Sequence, residues 1–69
     1  MNIIEVTINA ETRRASAGVS LGVLVDEAVE DRRGVAVALD GDVVPRSTWD
    51  STEVADGARI ELVAAVQGG

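Results

Sequence analysis

The chain has 69 residues, a net charge of −6 at pH 7 and 46% hydrophobic residues, with Trp49 as its one aromatic. This is a single domain near the lower size limit for independent folding, with a thin core of aliphatic side chains. It has no cysteine, histidine or lysine, and all six cations are arginine, which excludes disulfides, thiolate chemistry, cysteine-based metal sites and histidine-based proton transfer.

The acidic balance argues against nucleic acid, which asks for a basic stripe, and against anionic membranes. It favours a partner with a positive patch. The start, Met1-Asn2-Ile3-Ile4-Glu5, lacks a basic region followed by a long apolar run, and no apolar stretch is long enough to span a bilayer. A cytoplasmic location is the expectation.

In chain order, Ile4, Val6 and Ile8 alternate with Glu5 and Thr7, which predicts a strand with one buried face. Asn9-Ala10-Glu11 reads as a turn. Thr12 to Ser16 then predicts a more exposed second strand, the two forming a hairpin. Arg13 and Arg14 suit an edge strand kept soluble by charge.

Ser20 is placed as a helix N-cap. Leu21, Leu24, Val25 and Ala28 follow at helical spacing as one apolar stripe. Arg32 and Arg33 are expected to complement the helix C-terminal dipole, with Gly34 as the stop. Gly22 and the valines weaken this helix, and Asp26/Glu30 and Glu27/Asp31 set like charges one turn apart. Packing on a sheet must therefore hold it. Its acidic ridge reads as a solvated face, with a docking surface as the alternative.

Val35 to Leu39 is an unbroken apolar run, predicting a central strand. Asp40-Gly41-Asp42 is a turn, without the spacing of a calcium loop. Val43-Val44 predicts a short strand that Pro45 confines to an edge. Trp49 is expected to plug the rim of the core, with a partner contact as the alternative. Ser51 to Ala58 is polar, with a turn at Asp56-Gly57. Arg59 to Val63 then predicts the last strand.

Such an order gives a mixed α+β sheet of four to five strands on one helix. With the first and last strands as parallel central neighbours, the C-terminal end leaves the sheet at an exposed place. Ala64-Ala65-Val66-Gln67-Gly68-Gly69 follows. Two final glycines make a thin, conformationally free end that can thread a narrow channel and deliver an unhindered carboxylate. The alternative is a frayed terminus. The whole chain, 1–69, is expected to be one domain with a flexible tail, 65–69, protruding.

The runs Asp40-Gly41-Asp42-Val43-Val44-Pro45-Arg46-Ser47-Thr48-Trp49, Asp56-Gly57-Ala58-Arg59-Ile60-Glu61-Leu62-Val63 and Val66-Gln67-Gly68-Gly69 together resemble the ThiS family of sulfur carriers in bacterial thiazole (thiamin) biosynthesis. The resemblance implies the ubiquitin-like β-grasp fold. It implies that Gly69 is the reacting residue, its carboxylate adenylated by an ATP-dependent enzyme of the ThiF/MoeB type and converted to a thiocarboxylate. Sulfur would come from a cysteine desulfurase or sulfurtransferase, and thiazole synthase (ThiG) would accept it. Gly68 would give channel access, and Val63, Ala65, Val66 and Gln67 would meet partners. The chain would then be a co-substrate and not an enzyme. It would bind no cofactor or metal of its own, and ATP would be consumed by the partner. The absence of lysine also removes side-chain amines that could capture the activated end.

Two neighbouring readings share the tail: a MoaD-like carrier for molybdopterin synthesis, and a ubiquitin-like conjugation or interaction module. A third, an enzyme working through Asp40, Asp42 and Asp50, draws on the only abundant titratable side chains.

Overall fold

A computed structural model describes residues 2–64. The elements run β1 (Ile3–Ile8), β2 (Glu11–Ser16), α1 (Leu21–Ala28), β3 (Val35–Leu39), β4 (Asp42–Val43), a 3₁₀ helix (Arg46–Ser51) and β5 (Arg59–Ala64). They form one mixed sheet in the order β2-β1-β5-β3-β4. β1 and β5 are parallel neighbours near its centre, and the other pairs are antiparallel.

β1 and β2 pair without slippage from Ile3↔Ser16 to Ile8↔Glu11. Only Asn9 and Ala10 lie between them, with φ of 52° and 71°. A two-residue hairpin that follows the twist of its strands requires positive φ at both positions. Asn accepts this readily, whereas Ala does so against a steric cost. Ile4, Val6 and Ile8 all point to the same face and are buried.

Helix α1 begins as expected, with Ser20 Oγ accepting the Val23 N–H at 3.2 Å. It ends earlier than the sequence suggests. Val29 is already extended (φ −132°, ψ 152°), so Arg32, Arg33 and Gly34 lie beyond the helix and do not cap it. The like-charge pairs explain the early stop: outside the helix, Glu30 and Asp31 no longer stack one turn from Asp26 and Glu27. Asp31 instead accepts the Arg33 N–H at 2.9 Å and pairs with its guanidinium. The acidic ridge is therefore not built, and Ala28 is exposed at the helix end while Leu21, Leu24 and Val25 are buried.

Arg32 takes a different role. Its guanidinium donates to Asp26 (2.7 and 2.8 Å), to Asp50 (2.8 and 3.3 Å) and to the Gly22 carbonyl at 3.2 Å, and it lies 5.6 Å from the Trp49 ring centre. It thus ties the helix, the loop after it and the 3₁₀ helix into one unit. Gly22 leaves the space for this: a Cβ there would collide with the Asp50 carboxylate and come within 2.9 Å of Arg32 Nη2. The hydrogen bonds from Arg32 hold the Asp26 and Asp50 carboxyls below their ordinary range. Arg33 likewise draws Asp31 down to about 2.

Trp49 is 1% exposed and donates Nε1–H to the Val44 carbonyl at 2.8 Å. Its polar edge is satisfied while its rings fill the core, so it is not a surface contact. Val54, inside the stretch that reads as polar, is also 1% exposed. Its N–H bonds the Val19 carbonyl at 3.0 Å, carrying the connector across the core. The apolar run of β3 is buried on one face only: Val37 is 1% exposed, whereas its neighbour Ala36 is exposed.

Candidate functional site

β5 leads to the chain's reactive-group candidate. It starts inside the molecule, with Ala58 and Ile60 buried, and ends outside it, with Val63 and Ala64 exposed. Strand alternation sends Ile60 and Leu62 toward the helix and Glu61 and Val63 to the opposite, uncovered face.

That outer face has two halves. Toward β2 it is polar: Arg14 stands opposite Glu5, and Thr12 opposite Thr7, which in turn stands opposite Arg59. Near the end of β5 it is apolar. Val63 is opposite Ala36, and Ala38 is flanked by Glu61 and Val43. Val63 is 65% exposed and Val43 77% exposed. Small alanines on β3 leave this surface flat beside the two valines, as an accessible contact area would be. Glu61 supplies negative charge within it.

The root of the tail is held from both sides. On the β3 side, Val37 pairs with Leu62 and Val35 with Ala64. On the β1 side, the Asn9 carboxamide takes over where the strand turns away. Leu62 N–H donates to Asn9 Oδ1 at 2.8 Å, and Asn9 Nδ2 donates to the Leu62 carbonyl at 3.2 Å. Two shallow depressions meet here. One, of about 410 Å³, opens on the outer face along Arg59, Glu61 and Val63. The other, of about 280 Å³, opens below the helix end along Val29, Val35 and Ala64. Asn9 and Leu62 line both.

Of the residues expected from sequence to act, Val63 is thus placed on the outer apolar half, beside the strand end. Ala65, Val66, Gln67, Gly68 and Gly69 lie outside the described residues, as does the expectation of a flexible, protruding tail. Ala36, Ala38 and Val43 belong to the same surface and were not singled out by sequence. Their signal was the period-two alternation of small with large residues in Val35 to Leu39, which a continuous apolar run conceals. Asn9 was legible only as a turn residue.

Two of the three carboxylates considered for catalysis are engaged elsewhere, and the third, Asp42, stands exposed in β4. Asp40 Oδ1 accepts the Arg59 N–H at 2.8 Å, and Asp50 is bound by Arg32. Among the described residues, no group of three acidic side chains is arranged to hold a metal ion. Among the described residues no helix is long and apolar enough to cross a membrane.

A mixed sheet with parallel β1 and β5 near its centre and one helix across one face defines the ubiquitin-like β-grasp fold. The structure is similar to the crystal structure of the thiamine biosynthesis protein ThiS from Geobacter metallireducens, with a TM-score of 0.80 and 26% identity over 96% of this chain and 100% of that one. The sequence pattern of the ThiS family matches residues 6–69, and the chain belongs to that family. It is 27% identical over 66 residues to the sulfur carrier protein ThiS of Escherichia coli, covering 96% of this chain and 100% of that protein. It is also 36% identical over 66 residues to a thiazole synthase of Paramagnetospirillum magneticum, of whose length it spans 20%.

Proposed function

We propose that this chain is a sulfur carrier of thiamin biosynthesis that works through the carboxylate of Gly69. The observation that carries the reading is the extent of the family match. It reaches residue 69, so the Gly-Gly end falls inside the shared pattern, and the sheet that precedes it is similar to that of a ThiS structure.

The chemistry follows from what a carboxylate lacks. It is a poor electrophile, and attack of a carboxylate oxygen on the α-phosphorus of ATP converts it to a mixed anhydride with release of pyrophosphate. The terminal sulfur of a persulfide then attacks the Gly69 carbonyl carbon, AMP leaves, and a thiol reduces the resulting acyl disulfide, which releases a thiocarboxylate and a disulfide. An activating enzyme of the ThiF/MoeB type performs the first step, and a cysteine desulfurase or sulfurtransferase supplies the sulfur. The chain itself provides a handle without a Cβ, a narrow approach through Gly68, and a docking face. Val63, with Ala36, Ala38 and Val43, is the described part of that face, and Ala65, Val66 and Gln67 are assigned to the same partners. The charge of −6 suits partners with positive sites.

The acceptor is thiazole synthase. A protein of that name contains a segment 36% identical to this chain. Linking a carrier to its acceptor replaces a bimolecular encounter with an intramolecular one. The carrier reading places the protein in the cytoplasm, where ATP and desulfurases operate.

Exchange of labelled pyrophosphate into ATP tests the first step. With a ThiF/MoeB-type enzyme, the exchange should require this chain. A conjugation module would pass that test but form adducts with lysine amines of added proteins. Such adducts in place of a small-mass change would overturn the carrier reading.

A further inference from the structure

We propose that Asn9 is the positioning residue for the end of β5: its carboxamide fixes Leu62, the last residue of that strand held from both sides, and so keeps Val63 and Ala64 ordered for a partner that must reach the chain end. The inference rests on the carrier reading, since position matters only if the chain end must reach a reaction centre.

The geometry is that of a substituted strand. In the parallel ladder of β1 and β5, Thr7 N–H donates to the Ala58 carbonyl at 3.0 Å and Asn9 N–H to the Ile60 carbonyl at 2.9 Å. Continuation of that ladder would bring a backbone carbonyl to Leu62 N–H and a backbone N–H to the Leu62 carbonyl. β1 cannot provide them, because the chain turns at Asn9 with φ 52°. The primary amide of the same residue provides both, accepting from Leu62 N–H at 2.8 Å and donating to its carbonyl at 3.2 Å. One side chain thus makes the turn and replaces the peptide the turn removes.

Few residues can do both. Asparagine tolerates positive φ and carries a carbonyl and an N–H₂ on a short stem. Glycine keeps the turn and loses both bonds. Aspartate keeps the acceptor for Leu62 N–H but sets a negative oxygen against the Leu62 carbonyl. Beyond Leu62, among the described residues, β5 is paired only from the β3 side, through Val35 and Ala64. Leu62 is therefore the hinge point between a strand with two neighbours and a chain end with one. If it is released, Val63 and Ala64 fray with it. A partner must then order those residues before it can seat the carboxylate, which raises the concentration of carrier needed without altering the seated geometry.

The test compares Asn9→Gly and Asn9→Asp with the unaltered chain, and uses Ala15→Gly as a control that loosens β2 away from Leu62. Two quantities are read: amide hydrogen exchange at Leu62 relative to Val37, and the carrier's KM and kcat in the activating enzyme's pyrophosphate exchange. For Asn9→Gly we expect Leu62 exchange to rise roughly tenfold relative to Val37, and KM to rise about five- to tenfold with kcat within about twofold. Asn9→Asp should fall between, because it keeps one of the two bonds. The control should leave both quantities near their original values.

Unchanged KM in Asn9→Gly, or an equal rise in Ala15→Gly, overturns the positioning role even if the protein loses some stability. If the unaltered chain supports no exchange at all, the carrier reading fails instead. The hydrogen-exchange comparison then decides alone whether Asn9 holds Leu62.

Discussion

The two faces of this sheet carry out opposite tasks with nearly the same residue types. On β5, Ile60 faces the helix and is 1% exposed, while Val63, three residues on, faces away and is 65% exposed. On β3, Val37 is 1% exposed and its neighbour Ala36 is open to solvent. The helix face is closed by Trp49, Leu21 and Val54 and tied by Arg32. The outer face has valines and alanines that, among the described residues, nothing covers near the end of β5. Hydrophobicity alone does not separate core from exposed surface in so small a domain. Which side of the pleat a residue occupies does.

Substitutions that divide the two faces test that contrast. The largest loss of stability is expected on the helix face. Trp49→Ala removes the largest buried side chain and leaves the Val44 carbonyl without its donor, a cost of about 3–5 kcal/mol. For a domain of this size that approaches the whole stability, so thermal unfolding should show little or no cooperative transition. A cooperative transition close to that of the unaltered chain would place Trp49 outside the core.

On the outer face the balance reverses. Val63→Asp should change folding stability by no more than about 1 kcal/mol, yet raise KM for the activating enzyme at least about tenfold. Equal KM values would remove Val63 from the docking face.

Gly22 gives a smaller and more specific effect. Alanine is ordinarily the better helix former by about 1 kcal/mol, but here its Cβ displaces the Asp50 carboxylate from Arg32. Gly22→Ala should therefore bring no gain in the native sequence and a gain approaching that figure in an Asp50→Ala background. Identical effects in both, read by chemical denaturation, would mean that the two sites are not coupled.

The smallest effect is with acid. Asp26 and Asp50 are held low by Arg32, and Asp31 is drawn from 3.8 to about 2 by Arg33. Folded values below the unfolded ones mean that this stabilisation is complete above about pH 4 and fades as pH falls toward 2. Melting temperature should slope downward across that window, less so in Arg32→Gln. An unchanged slope in that variant would show that the Arg32 pairs do not contribute.

Much of this arrangement was legible in the residues. Alternation of Ile4, Val6 and Ile8 gave β1 and its buried face, and Ser20 gave the helix start. Trp49 was placed in the core by its solitude among aliphatic residues. Other features depended on partners distant in sequence. Arg32 and Arg33 sit where a helix end would use them, and only the like charges at Asp26/Glu30 and Glu27/Asp31 hinted that the helix stops before reaching them. Val54 lies among polar residues, and its burial follows from the chain crossing the core toward Val19. Ala10 has no preference for a left-handed turn and is carried into one by the pairing of its flanking strands. Asn9 was visible as a turn former, but its second set of bonds depends on Leu62, 53 positions away. As for the site, the terminal glycines carried the expected chemistry in sequence, whereas the surface around Val63 required the sheet.

What remains is whether this scaffold serves its own chain end. Intact mass after incubation with a ThiF/MoeB-type enzyme, ATP and a sulfur donor measures that directly, on the full chain and on one lacking Gly69. We expect the full chain to exchange a single oxygen for sulfur and the shortened one to stay unmodified although folded. Sulfur gained equally by both, or by neither with an activating enzyme shown to be competent, would contradict the central claim.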